Sequence, residues 1–321
     1  MLVESPFRPA WWLRGHHAQT LWAGLARRVP TVALRWETLE LPDGDALELA
    51  WVDQERPPGT PIVAVLHGLA GSVDSPHVMG LLAALNERGW RAVCVHFRGT
   101  GRAPNRLPIG YHSGKTDDPR EALRQLNERD PAAPLAVVGF SLGANVTLKM
   151  LGEDGDQSLV SAGVAVSPPL VLDECVRRME SGLSRFYQHH LLTQLKAWVR
   201  AGPAAKRVDA DVLRRARSFR DFDNAVTAPL GGFDDADHYY RACASRPFLP
   251  QIRVPTLVIH AEQDPFFTPA VVPTPDELPP NVRFELSVCG GHVGFVEGRL
   301  PGRGRYFVDQ RAPDYLANYL E

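Results

Sequence analysis

The chain has 321 residues, 44% hydrophobic and 22% charged, with a formal net charge of −2. It can bury a large core, no region reads as disordered, and nothing in its charge suggests a nucleic-acid partner or a strongly acidic substrate. The sequence shows no charged-then-apolar leader and no apolar run approaching a membrane span, so a reducing, cytoplasmic setting is expected.

The first 30 residues are unusually apolar. Phe7-Arg-Pro-Ala-Trp-Trp-Leu13 precedes Gly15-His-His-Ala-Gln-Thr-Leu-Trp22, and two adjacent tryptophans left in water would be an aggregation liability. Residues 1–29 therefore read as a segment docked on the body. The paired histidines lack a nearby Cys, Asp or Glu to complete a metal set. Next, the stretch from Arg35 to Trp51 alternates apolar and polar residues around Asp43-Gly44, the pattern of an antiparallel hairpin at a sheet edge.

Pro61 to Leu66 reads as a fully buried strand running into His67-Gly-Leu-Ala-Gly-Ser72. Such a glycine-rich loop suits either a phosphate or an oxyanion, and the phosphate reading lacks the lysine and spacing of a P-loop. A helix over Pro76 to Gly89 and a strand over Trp90 to Phe97 follow. Cys94, inside that strand, reads as packing. The other cysteines, Cys175, Cys243 and Cys289, stand in no metal-like spacing. Tyr111-His-Ser-Gly-Lys-Thr-Asp-Asp118 then leads into a helix over Pro119 to Arg129, with proline near its first turn.

A short β-branched run, Leu135 to Val138, passes through Gly139-Phe-Ser-Leu-Gly143 into a helix. This is the G-x-S-x-G pattern of a nucleophile elbow. A one-residue turn from strand to helix strains the serine backbone, and glycine two residues either side removes the collision that side chains would cause. The turn lifts the Ser141 hydroxyl clear of the sheet and aims the backbone N–H of Leu142 at the place where an oxyanion would form.

Ser158 to Val166 reads as another buried strand. Strands alternating with helices of this length imply a mainly parallel sheet with helices on both faces, and ligands bind at the carboxyl ends of its strands. From about residue 171 to 247 the pattern is helical, with helices expected over Leu183 to Val199 and Ala210 to Phe222. Phe186, Tyr187, Trp198, Phe219 and Phe222 look exposed, and Lys196, Arg200, Lys206, Arg207, Arg214, Arg215, Arg217 and Arg220 make the region basic. This reads as a helical cap over the site, with a solvated helical face or a peripheral contact to anionic headgroups as the alternatives.

The α/β pattern resumes with a strand over Val254 to His260, followed by Asp264-Pro265. Asp264 is the candidate acid and Glu262 its rival. The last strand is expected over Val282 to Val288, and Cys289-Gly-Gly-His-Val-Gly294 places His292 in a glycine loop. The order Ser…Asp…His is the one found in α/β-hydrolases, unlike chymotrypsin or subtilisin.

With these residues in hand, the chain resembles the α/β-hydrolase superfamily and, within it, AB hydrolase family 4, the YheT-like hydrolases. The resemblance runs nearly end to end. It rests on Phe7, Trp12-Leu13 and His17-Ala-Gln-Thr20, on His67-Gly-Leu-Ala-Gly-Ser72 with Ser75, on His96-Phe-Arg-Gly99 and on Tyr111-His-Ser-Gly-Lys-Thr-Asp-Asp118. The elbow, Asp264-Pro265 and Gly290-Gly-His-Val-Gly-Phe295 complete it. His16 stands where proline is usual and His77 where an aromatic is. The resemblance implies one α/β-hydrolase domain, with its core over about 30–170 and 248–321 and the cap over about 171–247. It implies a serine esterase with Ser141, Asp264 and His292 as a charge relay, and neither cofactor nor metal. The oxyanion donors in this reading are the backbone N–H groups of Leu69 and Leu142, and the partner is a small-molecule or lipid ester. Acyl transfer or thioester hydrolysis on the same residues, and a non-catalytic scaffold that binds a ligand, are the competing readings.

Overall fold

The computed structural model describes residues 1–52 and 55–321. Its strands are β1 (Leu2–Glu4), β2 (Leu34–Glu40), β3 (Ala46–Val52), β4 (Ile62–Leu66), β5 (Arg91–Val95), β6 (Leu135–Phe140), β7 (Ala162–Val166), β8 (Thr256–Ala261) and β9 (Val282–Ser287). They form one nine-stranded sheet in the order β1-β9-β8-β7-β6-β4-β5-β3-β2. Pairing is parallel from β1 through to β5 and antiparallel only where β3 and β2 close one edge. The hairpin expected around Asp43-Gly44 is this edge.

Period-two alternation sorts the strand residues onto two cores. In β4, Ile62, Ala64 and Leu66 join the cluster on one face, while Val63 and Val65 join the cluster on the other. Helices α1 (His16–Leu25), α2 (Pro76–Glu87), α3 (Asp117–Arg129) and α4 (Leu142–Asp154) intervene between the strands in chain order. Between β7 and β8 lies an insertion of helices, α5 (Leu172–Met179), α6 (Ser184–Ala201), α7 (Ala210–Arg215), α8 (Phe219–Phe222), α9 (Ala228–Gly231) and α10 (Ala236–Cys243). It carries its own apolar cluster, including Leu192, Val199, Phe219 and Phe222. Helix α11 (Phe307–Leu320) closes the described chain. No helix among the described residues is long and apolar enough to cross a membrane.

Four expectations need correction. The helix expected over 210–222 is two helices, because Ala216 leaves helical geometry and Ser218 starts a new helix with a capping box to Asp221. Of the aromatics that looked exposed, Tyr187, Phe219 and Phe222 are buried, since the insertion packs a core of its own; Phe186 is exposed. β9 is not the last strand, for two-residue strands β10 (Val296–Glu297) and β11 (Arg305–Tyr306) pair beyond it. The first residues do more than dock, because β1 extends the sheet beside β9, with Leu2 opposite Phe284.

The motif residues Arg98 and Asp118 turn out to brace loops. Arg98 donates both Nε and Nη2 to Asp118 at 2.7 Å and Nη1 to Asp43 at 2.7 Å and Asp45 at 3.0 Å. Arg98, Asp45 and Asp118 are all buried. Removing the guanidinium would strand buried carboxylates, so Arg98→Met is expected to destabilise the fold by about 3–5 kcal/mol. Urea unfolding checks this, and a loss below about 1 kcal/mol would contradict it.

Candidate active site

The strand order reverses between β4 and β6, since the chain runs from β4 to β5 on one side and returns to β6 on the other. The carboxyl ends of these adjacent strands therefore open a crevice at the switch point. Ser141 follows β6 there. Its φ of 51° and ψ of −115° lie in the strained region, and the close approach of neighbours explains why glycine flanks it. A Cβ at Gly143 would collide with the carbonyl oxygens of Leu66 and His67, and one at Gly139 with the Gly143 carbonyl.

The structure brings Ser141, Asp264 and His292 together. His292 Nε2 lies 2.8 Å from Ser141 Oγ, and Nδ1 lies 2.9 Å from Asp264 Oδ2. Asp264 is buried, and its other oxygen accepts the Phe266 N–H at 2.9 Å. The Phe266 ring stacks on the His292 imidazole, centroids 3.8 Å apart, and Phe267 meets its edge at 5.2 Å. Phe267 in turn stacks on buried His260, which burial lowers to about 4 and so keeps uncharged near neutral pH. Glu262, the rival acid, is exposed.

Leu69 follows β4, and Gly68 lies against Ser141, within 3.4 Å of its Cβ from the position a glycine Cβ would take. Among the described residues, neither the Leu69 nor the Leu142 amide has a protein acceptor, so both remain available as donors. Two motif side chains shape the first of these loops. His67 holds Nδ1 2.7 Å from the Gly68 carbonyl, and its Nε2 accepts the Phe97 N–H at 3.3 Å, which assigns the proton to Nδ1. Burial lowers its pKa to about 3, so it serves as a neutral brace and not as a base. Tyr111 Oη accepts the N–H of Ala70, a residue at φ 54°, at 3.0 Å.

The N-terminal motif proves to support His292, a role its sequence position did not disclose. Thr20 Oγ1 accepts the His292 N–H at 2.9 Å while donating to the His16 carbonyl at 2.8 Å. Buried Gln19 donates to the Leu13 and Val296 carbonyls and accepts the Val296 N–H. Gly291 and Gly294 lie so close to the backbone of Gln19 and Thr20 that a Cβ would clash. Thr20→Val is expected to lower kcat roughly tenfold or more with little change in KM, because a buried amide loses its acceptor and the imidazole its position. Thr20→Ser should restore the rate. A loss confined to KM, or no rescue by serine, would contradict this. His16 and His17 stand apart from the site, with His17 Nδ1 3.0 Å from Tyr187 Oη. Among the described residues no cluster of three metal-ligating side chains occurs.

A cavity of about 140 Å³ begins at Ser141 and extends into the insertion. Its walls are largely apolar, with Leu172, Val176, Met179, Leu195 and Phe222 among them. Asp223 is the one carboxyl in its lining among the described residues, and it accepts hydrogen bonds from Tyr240 Oη at 2.7 Å and Thr227 Oγ1 at 2.6 Å. Burial raises its pKa from 3.8 to about 6, against the opposing effects of Thr227, Tyr240 and Arg220. A carboxyl raised on folding leaves stability untouched below the unfolded pKa and lowers it increasingly through about 6. Asp223→Asn is therefore expected to stabilise the protein by on the order of 2 kcal/mol at pH 8 and to change little at pH 4. Unfolding midpoints at the two pH values check this, and equal effects at both would contradict it.

A family model described as the alpha/beta hydrolase fold matches residues 61–299. The protein named "Putative esterase YheT" of Escherichia coli (strain K12) is 42% identical over 310 residues, covering 95% of this chain and 91% of that protein. Phospholipase ABHD3 of Homo sapiens is 26% identical over 315 residues, covering 95% and 77%. Among solved structures, the Pyrococcus furiosus esterase Pf2001 overlays with a TM-score of 0.59 at 18% identity, covering 90% of this chain and 92% of that one. At that identity the overlay speaks to the fold alone.

Proposed function

Because the chain belongs to the α/β-hydrolase family, in its YheT-like branch, we propose that it is a serine esterase cleaving carboxylic esters through Ser141, Asp264 and His292. The observation that carries this reading is the unbroken chain of contacts from Asp264 Oδ2 through the His292 ring to Ser141 Oγ, at 2.9 and 2.8 Å. His292 Nε2 takes the Ser141 proton as Oγ attacks the ester carbonyl, and Asp264 holds the imidazole in the required tautomer. The free amides of Leu69 and Leu142 receive the oxyanion of the tetrahedral intermediate. On its collapse the alkoxy leaving group takes the proton from His292, leaving an acyl-enzyme. Water, deprotonated by the same nitrogen, then releases the acid and restores Ser141.

The helical insertion acts as a cap in this account. Its apolar wall excludes water from the acyl-enzyme and accommodates a hydrocarbon chain, which suits short- or medium-chain acyl esters or lipid-like esters. The relative named a phospholipase and a yeast relative named monoacylglycerol lipase, 29% identical over 249 residues, fit lipid-like esters. A series of p-nitrophenyl esters of increasing acyl length tests the reading. Turnover to free acid with a chain-length optimum is expected. No turnover of any member by folded protein would overturn it, and product appearing only on added alcohols or thiols would replace hydrolysis by acyl transfer.

A further inference from the structure

A cavity meant only for hydrocarbon has no use for an ionisable wall, yet Asp223 lines this one. Both of its hydrogen-bond partners, Tyr240 and Thr227, are uncharged hydroxyls that line the same cavity. No ion pair reaches Asp223 among the described residues. Arg220, the cation whose charge acts on it, is engaged with Asp173 and Asp237. His112, the histidine among the lining residues, is lowered to about 4 by burial and supplies no positive charge near neutral pH. The polar groups of Ser113 and Tyr239 are bonded to each other. A carboxyl in such a place costs stability unless something completes its shell.

Asp223 has capacity left for that. Each oxygen accepts one protein hydroxyl, and a carboxylate oxygen has room for a second donor. The local backbone is irregular as well. Asp223–Thr227 forms a π-helical turn between α8 and α9, a form that recurs at functional sites, and within it the Thr227 hydroxyl meets the Asp223 carboxyl.

We propose that Asp223 is the specificity-determining acceptor for a hydrogen-bond donor on the substrate chain that enters the cavity. The preferred substrates are then carboxylic esters whose cavity-side chain bears a hydroxyl or an amino group away from the scissile carbonyl. The ester character of the ligand rests on the esterase reading, while the recognition of a donor by Asp223 does not require catalysis.

Calorimetric binding to the Ser141→Ala protein separates the two. Methyl octanoate is compared with methyl hydroxyoctanoates carrying the hydroxyl at successive positions, and with the matching amino esters. At least one substituted ester is expected to bind roughly tenfold or more tighter than the plain chain, as for a hydrogen bond to a charged group. The two sets of esters identify whether the donor is a hydroxyl or an ammonium. Adding Asp223→Leu should abolish that gain while methyl octanoate binds as well or better, and Asp223→Ala carries the same expectation if the leucine variant does not fold. The proposal falls if no position gives a gain, or if the gain survives the loss of Asp223. Failure of the intact protein to turn over any ester would instead defeat the esterase reading.

Discussion

Ser141→Ala and His292→Ala are each expected to lower kcat by on the order of 10⁶. The two side chains act as one unit, because the hydroxyl is a weak nucleophile without the imidazole 2.8 Å away, and without the hydroxyl the imidazole has no nucleophile to activate for acyl-enzyme formation. The double variant should therefore be about as slow as either single one. KM should change little, since His292 is not among the lining residues and Ser141 contributes only one small side chain to a wall made mostly by others. Ser141→Ala should leave the melting temperature near that of the parent protein, whereas His292→Ala should lower it, because it removes the partner of buried Asp264 and the ring stacked on Phe266. Steady-state kinetics on a p-nitrophenyl ester, with thermal unfolding beside it, checks these statements. Residual activity within tenfold of the parent in either variant would contradict the assignment.

Asp264→Asn is expected to cost on the order of 10⁴ in kcat. The geometry specifies why. Asp264 Oδ1 accepts the Phe266 N–H at 2.9 Å while Oδ2 faces His292 Nδ1. An asparagine keeping its carbonyl oxygen on that N–H would turn its NH₂ toward Nδ1. The proton would then be displaced to Nε2, the nitrogen that must accept the Ser141 proton. Glu262→Gln should leave the rate unchanged, since Glu262 is exposed. Measuring both variants side by side decides between the two carboxylates, and a large loss in Glu262→Gln with a small one in Asp264→Asn would reverse the assignment.

The site was legible in the sequence where local backbone geometry demanded particular residues. Gly139 and Gly143 announce the elbow because the turn at Ser141 leaves no space for side chains. Asp264 and His292 could be picked out because each follows a strand-like run, and parallel strands deliver their carboxyl ends to one rim. The parallel sheet and the edge hairpin were readable from periodicity for the same reason. The contribution of Thr20 was not, since 272 positions separate it from the amide it accepts. Its motif looked like packing, which describes Gln19 and Leu13 but not the hydroxyl. β1 escaped notice because three residues carry no period. In the insertion the surrounding charges made the aromatics look exposed, whereas the buried Tyr187, Phe219 and Phe222 belong to an apolar core of the insertion's own. Asp223 gave no signal at all. Asp223, the second of two aspartates in Arg220-Asp-Phe-Asp-Asn224, is ordinary until the fold closes a cavity around it.

The most direct test of the central claim is fluorophosphonate labelling of the intact protein, followed by mass spectrometry of its peptides. The account predicts one adduct, on Ser141, that disappears in His292→Ala. Folded protein that stays unlabelled, or that carries its adduct on another residue, would contradict it.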